Sequence, residues 1–182
     1  MARIRLNQEQ GRLWVVVKFL LRLTALSLPL YIVLWANPSF DFIQYAVRDS
    51  VLSLTQAVGI DAEVDGFDLK LGTVDGAVTL NIAADCTGWK SAVAYVALLL
   101  AVPGISNRKR LIGLAGIPIL YAVNVLRIAF LVWVVNVMGF GYFRIFHEYL
   151  WKLGLSLAVL LVWYVWLTKI ADRIKPEKFI SY

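Results

Sequence analysis

The sequence predicts an all-α integral membrane helical bundle of about four transmembrane helices, carrying a small extracytoplasmic insert of one helix and a β-hairpin. Three observations predict it. Of the 182 residues 60% are hydrophobic, against about 45–50% apolar in an ordinary soluble domain. Apolar stretches near the ~20 residues needed to cross a bilayer recur along the chain. The net charge of +6 gathers at one set of stretch ends, as the positive-inside rule requires of cytoplasmic loops.

The apolar stretches run from Leu13 to Trp35, Gly88 to Pro103, Leu111 to Val137 and Leu150 to Lys169. The first carries Lys18 and Arg22 and is longer than the apolar run of a signal peptide, so it is read as a retained anchor. The second is short. The third is long enough to tilt, or to kink at Pro118. With the N-terminus in the cytoplasm, the cytoplasmic side holds Arg3, Arg5, Arg12, Arg108, Lys109, Arg110, Lys169, Arg173, Lys175 and Lys178, ten of the eighteen Lys and Arg. The predicted topology is therefore N-in and C-in, a multi-pass cell-membrane protein.

The 37–85 insert lies outside the membrane within a single 1–182 domain. Phe40 to Val58 places Phe42, Ile43, Tyr45, Ala46, Val51, Leu52 and Leu54 at helical spacing, an amphipathic helix. Val64 to Ala83 alternates instead, with Phe67, Leu69 and Leu71 against Asp68 and Lys70, a Val74-Asp75-Gly76 turn, then Val78, Leu80 and Ile82.

One Cys and one His exclude an intrachain disulfide and the ligand set of a zinc site. No metal cluster, Gly-rich phosphate loop or paired-carboxylate site stands out, so neither a metal nor a cofactor is expected. The basic residues are topology determinants in contact with the lipid bilayer, and no nucleic acid is expected as a partner.

Three residues carry candidate chemistry. Cys86, in Asp85-Cys86-Thr87-Gly88, opens the second span, where a helix start favours the thiolate; the alternative is a small buried hydrophobe, which is common in membrane helices. Lys90 would assist that thiolate and Asp85 oppose it. Arg127 lies inside the third span, where a charge costs about 2.5–3.5 kcal/mol. At 1.5 Å per residue it is ~24 Å from the cytoplasmic end, toward the outer leaflet, with Asn124 on the same helix face to orient it or a substrate carbonyl. It reads as a functional cation, or as a structural one paired with Asp85 or Glu148. His147 falls just before the fourth span, again outside, as a general acid–base or as a tolerated polar residue. One topology brings all three to one outer level from three helices. In that case Cys86 attacks a peptide carbonyl, Arg127 donates to the oxyanion and His147 moves the proton, which is acyl transfer through a thioester.

At these positions the sequence resembles the exosortase/archaeosortase family of membrane cysteine transpeptidases. The resemblance covers about Asp85 to Trp151: the Cys86-Thr87-Gly88 segment, Arg127 preceded by Asn124, and His147 downstream. It implies catalysis by Cys86, Arg127 and His147, with Thr87, Gly88 and Asn124 binding substrate or supporting the site. The implied substrates are exported proteins with a C-terminal sorting signal of a short motif, a hydrophobic helix and a basic tail. Their cleaved chains pass to a lipid or glycan acceptor at the membrane or cell surface, or to water. Many family members are longer with more spans, so the chain reads as a compact member, with specificity expected in the insert. The substrate's helix would dock through the small residues Gly113, Ala115 and Gly116. The competing reading is a non-enzymatic membrane assembly factor or subunit in which Cys86 packs and Arg127 is structural.

Overall fold

A computed structural model describes residues 2–36, 40–74, 76–149 and 153–171. The start of the fourth predicted span at Leu150, Asp75 of the predicted turn and the basic residues Arg173, Lys175 and Lys178 lie outside the described residues.

The chain is mostly helical. Helix α1 runs over Ala2–Ala36, α2 over Asp41–Ala57, α3 over Trp89–Ala101, α4 over Asn107–Gly113, α5 over Gly116–Met138, α6 over Phe143–Tyr149 and α7 over Leu155–Trp166. Between α2 and α3 lie strands β1 (Ala62–Asp65), β2 (Asp68–Thr73) and β3 (Gly76–Asn81). Among the described residues one helical stretch, Asn107–Met138, is long and apolar enough to cross a bilayer, and Trp89–Ala101 and Leu155–Ile170 are shorter apolar helices. Large apolar side chains stay exposed along α1, α5 and α7, among them Leu21, Ile32, Leu126, Trp133, Leu157 and Leu161. An apolar exterior of that extent is unfavourable in water and matched to hydrocarbon.

Two cores divide the molecule. The first holds α3, α5 and α7 together through Tyr95, Leu99, Leu120, Val159 and Trp166. Two of its polar groups are satisfied internally: the Tyr95 hydroxyl donates to the Gly113 carbonyl at 2.8 Å and Trp166 Nε1 to the Lys109 carbonyl at 3.0 Å. The second core packs the sheet on α2 and α5, with Leu69 and Leu71 of β2 against Val47, Val51, Val125, Ile128 and Val132. Helix α2 forms as expected, but it buries Gln44, Val47, Val51 and Thr55, a face that shares only Val51 with the expected apolar set, while Phe42, Tyr45 and Leu54 stay exposed.

Three expectations change. The predicted hairpin is a three-stranded antiparallel sheet in the order β1-β2-β3, because Ala62 to Asp65 pairs with Leu71 to Asp68. The third span does not kink at Pro118 but breaks at Leu114 and Ala115, between α4 and α5. Pro118 falls in the first turn of α5, where its missing N–H would have had no helical partner. The small residues Gly113 and Gly116 are buried against the chain's own bundle: a Cβ on Gly116 would clash with the Tyr95 hydroxyl, and one on Gly113 would come within 2.7 Å of Trp166 Nε1. They are closed to a substrate helix. Gly116→Ala is therefore expected to lower stability by about 1–3 kcal/mol, the usual range for overpacking, read as a lower melting temperature in detergent; an unchanged melt would contradict this packing.

Candidate active site

Residues 84–87 form a single 3-10 turn between β3 and α3. Its shape is set by Gly88, whose φ of +77° lies in the left-handed region that favours glycine. Space also requires glycine there, since a Cβ would sit 3.1 Å from Cγ of Asn124. Two buried amides hold the segment leading through the turn. Gln44 Nε2 of α2 donates to the Ile82 carbonyl at 3.1 Å, and Asn124 Nδ2 of α5 donates to the Cys86 carbonyl at 2.8 Å. Asn124 is fully buried. Rather than orienting the Arg127 guanidinium, it fixes the backbone that carries the thiol.

Cys86, Arg127 and His147 line one cavity of about 70 Å³. Its other walls are Leu69, Leu80, Asn81 and Ile82 from the sheet, Ile128, Leu131 and Val132 from α5, and Phe143 from α6. Arg127 is one helical turn beyond Asn124 and buried. His147 is held by stacking on Phe143, one turn earlier in α6, with ring centroids 5.1 Å apart. Helix α6 is pinned to α5 by the edge-on contact of Phe146 with Phe130 at 6.0 Å. The three candidate residues thus come from a turn, the centre of α5 and a short helix, and meet at one place. Thr87 and Gly88 do not line this cavity. They face a separate apolar cavity of about 510 Å³ between α2, α3 and α5, and the Thr87 hydroxyl closes the turn on the Ala84 carbonyl at 2.7 Å.

The electrostatics correct one expectation. Burial pushes the Cys86 thiol above its ordinary pKa, and this outweighs the Arg127 charge and the backbone at Ala83, which pull it down. A helix start favours the thiolate through its dipole, but the loss of water at Cys86 acts the other way and is larger. Lys90 gives no help, since its ammonium pairs with Asp85 at 2.6 Å. His147 moves the other way, pushed below its ordinary value by burial and by the Arg127 charge, with Glu148 opposing. At neutral pH the resting pair is a thiol and a neutral imidazole, the protonation state from which His147 can accept the thiol proton.

The sign of the pH dependence follows. Maleimide labelling of Cys86 should rise only at pH above that of an ordinary thiol near 8.5, and Arg127→Gln should slow it further by removing the cation that favours thiolate. Labelling that saturates below pH 7 would contradict this picture.

A mostly helical chain with an apolar exterior, a buried arginine and a partly buried cysteine and histidine around one cavity defines a membrane protein with a candidate thiol centre. The sequence matches the model of the transmembrane exosortase family over residues 10–164, most of its length. The chain belongs to that family. Its members are embedded in the membrane and act on exported proteins that carry C-terminal sorting signals. No curated protein and no solved structure matches the chain.

The sheet's part in the site was not legible as such. The alternation of Leu69 and Leu80 with polar neighbours marked an apolar face, but nothing in the sequence said that this face walls the cavity of Cys86.

Proposed function

We propose that this chain is a membrane-embedded cysteine transpeptidase that cleaves the C-terminal sorting signal of exported proteins through a thioester and passes them to a membrane or cell-surface acceptor. The observation that carries the reading is the convergence of Cys86, Arg127 and His147 on one cavity, in a chain of the exosortase family.

His147 takes the Cys86 proton as the sulfur attacks the scissile carbonyl carbon, and Arg127 donates hydrogen bonds to the oxygen that gains charge. The tetrahedral intermediate collapses as the C–N bond breaks, and the proton on His147 goes to the leaving amine. The released fragment is the hydrophobic helix with its basic tail. An acceptor hydroxyl or amine then attacks the thioester, gives its proton to His147 and restores the thiol; water in its place makes the same centre a protease. Asn124 and Gly88 act by positioning the Cys86 turn.

The geometry of α5 supports the proposed orientation. Its near end adjoins the basic residues Arg108, Lys109 and Arg110 of α4, while its far half carries the sheet through Val125, Val132 and the 2.9 Å bond from Asn136 to the Gly72 carbonyl. With the basic residues inside, as the positive-inside rule favours, the proposed topology has the sheet, the 40–85 region and the cavity on the extracytoplasmic side and both termini in the cytoplasm.

The test compares exported proteins from cells with and without this chain. The reading requires proteins whose C-terminal apolar helix is lost only when the chain is present. Identical C-termini in both would leave the assembly-factor reading in its place.

A further inference from the structure

The sheet has two edges, and they differ. Strand β1, Ala-Glu-Val-Asp, is four residues long and carries Glu63 and Asp65, the short charged edge by which proteins discourage further pairing. Strand β3, Gly-Ala-Val-Thr-Leu-Asn, has neither charge nor proline, and none of those devices protects it. Among the described residues it pairs only with β2.

The direction of its free hydrogen-bonding groups follows from the register. Leu80 stands opposite Leu69 and Val78 opposite Leu71, and the Ile82 N–H donates to the Phe67 carbonyl at 3.0 Å. Main-chain groups alternate in an antiparallel ladder, so Ile82, Leu80 and Val78 point theirs at β2. Ala77, Thr79 and Asn81 therefore point theirs outward. All three residues are exposed, and among the described residues no hydrogen bond reaches their main chain on that side. The same strand runs into the cavity, where Leu80, Asn81 and Ile82 form the wall facing Cys86, Arg127 and His147.

We propose that the open edge of β3 is the substrate-docking strand: the extended segment of the exported protein that precedes its hydrophobic helix adds to the sheet beside Ala77, Thr79 and Asn81. Main-chain pairing of this kind supplies affinity with little dependence on sequence, while pockets for alternate side chains supply selectivity. Pairing along β3 delivers the scissile carbonyl to the end of the strand where the thiol stands. The apolar wall of Leu69, Leu80 and Ile82 and the small cavity favour a small or apolar side chain next to the scissile bond. An open edge is also incompatible with hydrocarbon, which cannot satisfy its N–H and C=O groups, so the edge belongs in water until the peptide covers it.

The inference rests on the transpeptidase reading, and its test separates the two. The probe is an exported protein that keeps its C-terminal helix in cells lacking this chain. Thr79→Pro removes one outward N–H and leaves the ladder to β2 intact, as proline is tolerated at edge positions of this kind. It is expected to lower kcat/KM for the probe by about fivefold, the order of one net hydrogen bond, mainly through KM, with Cys86 labelling unchanged. Thr79→Val, which keeps the N–H, is expected to match wild type. A folded Thr79→Pro protein that processes the probe at the wild-type KM overturns the docking strand but leaves the transpeptidase reading standing, as does an effect confined to the oligomeric state. If Thr79→Pro does not fold, hydrogen exchange on the Cys86→Ala protein decides. Protection of the Thr79 and Asn81 amides on adding the probe supports the edge, and unchanged exchange there overturns it. If no exported protein keeps its helix in cells lacking the chain, the transpeptidase reading fails and the docking strand falls with it.

Discussion

Cys86→Ala is expected to abolish processing of the exported substrate, a fall on the order of 10⁴-fold or more, with the protein still folded. The size follows from the role: no other thiol exists in the chain, so no side chain can take over the thioester, and loss of a covalent nucleophile costs factors of that order. The retained fold follows from the surroundings. Cys86 is only partly buried and packs at the margin of the core formed by the sheet, α2 and α5, so deleting its sulfur should cost about 1 kcal/mol. The check is paired: processing of the substrate, and thermal unfolding of the purified protein in detergent. A structural cysteine gives the opposite pattern, with stability lost and processing, if any, retained.

Arg127→Gln is expected to lower kcat by about 10²–10³-fold, the measured range for removing one oxyanion donor, with KM little changed. The split is diagnostic because the oxyanion exists only in the transition state, so its partner contributes to kcat rather than to substrate binding. Arg127 lines the cavity with Cys86, and its charge acts on both the thiol and the imidazole. Glutamine shortens the side chain and removes the charge, and Arg127→Lys, which keeps the charge without the planar fork, should fall between. If Arg127 were structural, the variant would lose its fold along with its activity, since breaking a buried charge interaction is strongly destabilising.

The candidate residues are readable in the sequence because each is singular. Cys86 and His147 are the sole members of their types, and Arg127 is a charge placed where charges are costly. Their common level could be counted from the topology. What they would feel there could not, because the competition between helix dipole and desolvation at Cys86 depends on packing, and packing raised the thiol. Asn124 was assigned to the face of Arg127 by its spacing, yet its bond goes to the Cys86 carbonyl, since spacing along one helix does not say which partner segment lies opposite. Strand β1 has no signal of its own in the sequence, because Ala-Glu-Val-Asp has weak strand propensity and is held by its pairing with β2. Gly113 and Gly116 signalled close approach, but not that Tyr95 and Trp166 already fill the space.

The most direct measurement adds hydroxylamine, a strong nucleophile toward thioesters, to purified protein turning over its exported substrate, and determines the new C-terminus by mass. The thioester account predicts a C-terminal hydroxamate that forms with wild type and not with Cys86→Ala, together with an acid-trapped adduct of the substrate fragment on Cys86. Cleavage by Cys86→Ala at the wild-type rate, or a product that carries only a carboxylate at every hydroxylamine concentration with no adduct on Cys86, would contradict it.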